Sequence, residues 1–171
     1  MKTTIKSILT LALVMGLGIM AHAQKTLSAP ASATILTDLT ITLEGTIAFG
    51  NLSATTAAVV LDAKGADNVN TGTVTSVARF KLAGADNAVT VTYDATVILT
   101  ESVGVTMDMT PVVVGAAVSE NQGSATPVAS PSTVILESNE FYLWVGGTIP
   151  PLNGQATGEY TGIFNINVEY N

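Results

Sequence analysis

The chain has 171 residues, a net charge of −7 from 13 acidic and 6 basic side chains, no cysteine, and one histidine, His22. His22 lies in what reads as a removable leader, so the mature chain lacks both imidazole and thiol. That excludes serine–histidine and cysteine–histidine nucleophiles, disulfides, and ordinary zinc, copper or haem sites.

The leader comes first in the chain. Lys2 and Lys6 form a positive n-region, Ile8 to Met20 is apolar, and Ala21-His22-Ala23 is a small-x-small cleavage site ahead of Gln24. This is the pattern of a signal peptide over 1–23, too short for a membrane anchor, and it predicts export to the periplasm, the outer cell surface or the extracellular space. The mature chain is then not expected to span a membrane. Cleavage leaves 148 residues, 24–171, with a net charge of −9, the usual size of one domain. Its four cations, Lys25, Lys64, Arg79 and Lys81, form no run, and nucleic acid is not an expected partner. Charged residues are only 11% of the chain against about 25% in typical soluble proteins, so threonine, serine, asparagine and alanine must cover much of the surface.

After the cleavage site Leu27, Ala29, Ala31, Ala33 and Ile35 alternate with Thr26, Ser28, Pro30, Ser32 and Thr34, the period of a β-strand. The simpler reading is the first strand of its own domain. The alternative is a donor strand that inserts into a neighbouring subunit and completes its sheet. Pro30 has no amide donor and suits an edge position.

Alternation continues down the chain. Leu39, Ile41 and Leu43 share one phase, resumed by Ile47 and Phe49, and Ala57 to Leu61 is a further candidate strand. Ala78, Phe80 and Leu82 alternate with Arg79 and Lys81, and Val89, Val91 and Tyr93 with Thr90 and Thr92. Val97 to Thr100, Val105 to Met109, Val112 to Ala116, Val134 to Leu136 and Phe141 to Val145 follow, and the last strand places Tyr160, Phe164, Ile166, Val168 and Tyr170 on one face. No stretch after the leader has helical spacing with caps. Short strands parted by glycine, asparagine and proline predict an all-β fold, a single immunoglobulin-like antiparallel β-sandwich. An outer-membrane barrel would need longer strands and two aromatic girdles. Phe49 and Phe164 are expected in the core.

The motifs that could carry chemistry are few. Gly65-Ala66-Asp67-Asn68 and Gly84-Ala85-Asp86-Asn87 echo one another, but neither supplies the run of oxygen donors a calcium loop needs, and both read as turns. Glu137 with Glu140, or Asp94 with Glu101, would be the carboxylate pairs of a glycosidase. Spacing alone does not bring them together, and neither catalysis, a cofactor nor a bound metal is expected. In Phe141-Tyr142-Leu143-Trp144-Val145, a strand turns Tyr142 and Trp144 to one face. They serve either the core or a glycan-stacking platform, the latter making the domain an extracellular carbohydrate-binding module.

Ala31-Ser32-Ala33-Thr34-Ile35, Leu39-Thr40-Ile41 and Ile47-Ala48-Phe49-Gly50-Asn51 resemble the start of the secreted bacterial domain-of-unknown-function family 4402. Val145-Gly146-Gly147-Thr148-Ile149, followed by Gly158-Glu159-Tyr160-Thr161-Gly162-Ile163-Phe164-Asn165-Ile166-Asn167-Val168-Glu169-Tyr170-Asn171, resembles its close. The family looks related to the spore coat protein U and chaperone–usher pilin type of sandwich. The resemblance implies a pilin-like fold at the cell surface, a structural or fimbrial-type subunit or adhesin, self-association or other surface subunits as partners, and no catalytic residues. The chain departs from the pilin pattern in having no cysteine pair. Gly146-Gly147 and Gly158 are expected in tight turns, and Gly162 beside aromatic rings.

Overall fold

The computed structural model describes residues 29–171. The expected leader, 1–23, and Leu27 lie outside the described residues. The chain from Ile35 onward forms one compact unit, built, as the alternation predicts, from antiparallel strands in two sheets.

The larger sheet runs in the order β1 (Thr40–Gly45), β3 (Ala78–Ala83), β9 (Glu140–Ile149), β6 (Thr106–Ala116) and β5 (Val97–Thr100), with β2 (Val59–Leu61) also on β9 and β7 (Thr126–Pro127) also on β6. The smaller sheet runs β10 (Ile166–Tyr170), β4 (Ala88–Tyr93) and β8 (Ser132–Ile135). Between the sheets Leu82, Leu143, Val145 and Val113 from the larger meet Val89, Val91 and Val134 from the smaller. Each fully buried side chain of this kind contributes about 1.5–3 kcal/mol relative to exposure.

β9 is the centre of the larger sheet. One edge pairs with β6, and the other is shared, with β3 along Glu140–Val145 and β2 along Gly147–Ile149. Gly146 sits at the handover. A Cβ there would collide with the carbonyl oxygen of Leu61 and the amide of Ala63, and one on Gly147 would lie 2.9 Å from the Thr110 carbonyl oxygen. The two glycines therefore do not make the expected turn; they let three strands crowd one strand.

Val105 to Met109 and Val112 to Ala116 join into one strand, β6, through Pro111. Along β6, pairing with β5 reaches only to Met109 and pairing with β7 starts only at Val114, so no partner on that edge needs a donor from Pro111. Ser138 and Asn139 both have positive φ, 56° and 67°, and close the tight turn between Glu137 and Glu140, which bridge each other where the chain passes from β8 in the smaller sheet to β9 in the larger.

The expected final strand over 160–170 is divided. Thr161 bridges to Thr100 on β5, whereas β10 starts at Ile166 and pairs with β4, so this stretch passes from one sheet to the other. Gly162 lies against the backbone of Ile98 and the side chains of Val97 and Leu99, not against aromatics. Phe49 and Phe164 are half-buried, packing against the core from its margin.

Candidate functional site

The two sheets do not cover each other fully. In an antiparallel pair, residues opposite one another share a face. Ile41 is opposite Leu82 and Leu43 opposite Phe80, so both side chains of β1 point to the interior. Yet they remain 37% and 56% exposed, while Leu82 is fully buried. The cause lies in the smaller sheet. β10 is its edge strand, and its inward residues Ile166, Val168 and Tyr170 are only half-buried. The Phe164 ring stands 6.1 Å from Phe80 and 5.8 Å from Tyr93, which places the approach to β10 over β3. A further strand beside β10 would lie over Ile41 and Leu43. Among the described residues, the seam between β1 and β10 thus has two unpaired strand edges and an apolar floor.

Residues 29–39 form no strand, and Ile35 is 96% exposed. The expected first strand of the domain is therefore absent among the described residues, whose first strand is β1. The physical reason is visible in the side chains, since Ala29, Ala31 and Ala33 carry little apolar surface with which to offset ordering the backbone.

Tyr142 and Trp144 do share the outer face of β9 and stack with ring centroids 6.3 Å apart. They are neither part of the inter-sheet core nor an open platform. Trp144 is 2% exposed, roofed together with Tyr142 by Ala63, Ala125 and Val77 beside Val114 of β6. The roof is two loops tied together where Gln122 Nε2 donates to the Ala63 carbonyl at 2.9 Å. The glycan-platform expectation is corrected accordingly, because a sugar needs an uncovered ring face.

The first Gly-Ala-Asp-Asn belongs to this roof. The Asp62 carboxylate accepts the amides of Lys64, Ala66 and Asp67 at 3.0–3.1 Å, and Gly65 has φ 76°. Burial pushes the Asp62 carboxyl up, but those amides and the Lys64 charge outweigh it and hold the group below the usual carboxylate range. The second echo turns β3 into β4, with Asp86 accepting the Asn139 amide. Among the described residues no group of three or more histidine, cysteine, aspartate or glutamate side chains could hold a metal ion.

Three of the four carboxylate candidates, Glu101, Asp94 and Glu140, are committed to local bonds, while Glu137 meets Glu140 only through the backbone. Glu101 accepts the Ser102 hydroxyl at 2.6 Å and the Val103 amide at 2.8 Å, which hold it below its ordinary range. Asp94 accepts the backbone and side-chain nitrogens of Asn165, clamping the passage between sheets. Glu140 pairs with Lys81 and accepts the Tyr142 hydroxyl, and both lower its pKa. A groove of about 380 Å³ beside Trp144 is lined by Glu44, Arg79, Ser76 and Gln122. Its polar groups are likewise paired, Arg79 Nε to Glu44 at 2.7 Å and Ser76 Oγ to the Thr46 carbonyl at 2.7 Å.

Sequence reading identified the N-terminal segment and the outward aromatic pair but not the seam. Nothing in the spacing distinguishes Ile41 and Leu43 from alternating residues that become buried. Among the described residues no helix is long and apolar enough to cross a membrane. No curated protein matches the chain. The sequence model of a domain of unknown function, DUF4402, matches residues 39–170, from the residue before β1 to the end of β10. The chain therefore belongs to the DUF4402 family.

Proposed function

We propose that this protein is an exported structural subunit of a surface assembly, of fimbrial type or an adhesin, related to the spore coat protein U and pilin-like sandwiches. Its subunits join when the N-terminal segment of one copy, Leu27 to Ile35, adds as a strand to the seam of the next. The observation that carries this reading is the uncovered floor of the seam, Ile41 and Leu43, flanked among the described residues by the unpaired edges of β1 and β10. An exposed strand edge over apolar side chains is a template for pairing with another chain. The same molecule carries an alternating apolar segment, of which the described part, Ala29 to Ile35, forms no strand. Backbone hydrogen bonds supply affinity in such strand addition, and the alternate side chains supply register.

The test is assembly of the mature chain, followed by sedimentation and electron microscopy, against a variant lacking Lys25 to Pro30. Ordered oligomers that vanish with the deletion support strand addition, whereas unchanged assembly excludes it. Export is read separately: intact mass of the exported protein should begin at Gln24, and retention of Met1 would exclude cleavage at Ala23.

A further inference from the structure

The hydroxyl of Tyr170, one residue from the end of the chain, joins three distant segments. It accepts the Ala85 amide at 2.6 Å and donates to the Thr37 carbonyl at 2.8 Å. Its ring packs over Gly84, where any Cβ would collide with the hydroxyl and press on Leu39. The phenol is thus held by the β3–β4 turn and in turn holds the backbone two residues downstream of Ile35. Tyr170 is also the last residue of β10, paired with Val89, so the place where the N-terminal segment leaves the domain is pinned to one end of the seam.

We infer that Tyr170 is a positioning residue for strand addition, its hydroxyl fixing the exit of the N-terminal segment at the C-terminal end of β10. The polarity of the chain follows. From a carbonyl fixed beside Tyr170, the segment upstream can cover its own seam only by running parallel to β10. The same segment reaching a second copy is free to run antiparallel, and antiparallel ladders are the slightly more stable of the two per residue. At the β10 edge, the pin therefore favours donation to another subunit over closure within one. This inference rests on the proposed assembly, but its structural half is measured without it.

The protein has no cysteine, so labels can be placed cleanly. Spin labels at Ile35→Cys and Ile135→Cys, both exposed positions, should give a narrow distance distribution in the mature chain. Tyr170→Phe keeps the ring and removes both hydrogen bonds. It should broaden that distribution and speed exchange of the Ala85 amide by about tenfold, the weight of one ordinary hydrogen bond. It should also slow assembly by a similar factor while leaving the urea midpoint of the monomer nearly in place. Gly84→Ala, which displaces the hydroxyl with Tyr170 retained, should act in the same direction and serves if Tyr170→Phe does not fold. A distribution as narrow in both variants as in the wild type overturns the pin. Broadening with unchanged assembly overturns the positioning role. If the wild type does not assemble at all, the subunit reading and that role fail together, while the distance distribution still decides whether the pin exists.

Discussion

Leu143 and Leu43 have the same side chain, face the same interior and sit on strands separated only by β3. Leu143 is fully buried and Leu43 is 56% exposed. The difference comes from the opposite layer. Leu143 lies in a cluster with Val89, Val91 and Val134 of the smaller sheet, whereas the smaller sheet ends at β10 before it reaches β1. A sandwich with five strands along one layer and three in the other has one flank without a cover. Burial at a strand position is therefore decided by what stands across the gap, not by the alternation of the strand itself.

That contrast can be tested by substitution on each side of it. The largest effect is expected at Trp144→Ala, about 4 kcal/mol off the stability in urea, because the roofed outer face would lose its largest side chain. As the sole tryptophan, Trp144 also reports directly: its emission should be blue-shifted and poorly quenched by acrylamide, and free quenching would show the roof open. Leu143→Ala should cost about 3 kcal/mol by the cavity it leaves between the sheets. Asp62→Asn should cost about 1 kcal/mol, the scale of a lost side-chain cap on backbone amides. Because the folded pKa of Asp62 is depressed, its contribution is complete above the ordinary carboxylate range and is lost as the pH falls through the folded value. The wild-type urea midpoint should therefore fall with acid more than that of Asp62→Asn. Leu43→Ala should change monomer stability by only about 0.5 kcal/mol, as at other exposed positions. A loss matching Leu143→Ala would mean that the seam is already covered in the isolated chain. In assembled material the Leu43→Ala effect should grow, since an added strand would bury that side chain.

Strand positions were legible because a period of two survives wherever one face is buried, as in Phe80 and Leu82 or Val89 and Val91. The period says nothing about partners. It could not show that Thr161 and Ile166, in one continuous pattern, bond to different sheets. Nor could it show that Ala63 and Ala125, over sixty residues apart, meet above Trp144. Gly146-Gly147 was misread for a related reason: glycine pairs usually mark turns, and only the tertiary crowding of Leu61, Ala63 and Thr110 against β9 shows why they sit within a strand. The seam was illegible in the same sense, because it is made by the absence of a neighbour. Of the N-terminal segment, the alternation was visible, but the scarcity of large side chains at Ala29, Ala31 and Ala33 is the part of the pattern that agrees with its forming no strand.

The position of β9 in the chain also sets a schedule. Three strands that pair with it, β2, β3 and β6, all precede it, and its own residues end at Ile149. A polypeptide emerging from its N-terminus has made most of its strands before the one that organises them exists. Until the last fifth of the chain is free, the larger sheet has no middle, and the smaller sheet still waits for β10. Closing loops of this length is slow relative to local structure. Pairing in the larger sheet can therefore be completed only once β9 is available, and the two layers can close on each other only once β10 is.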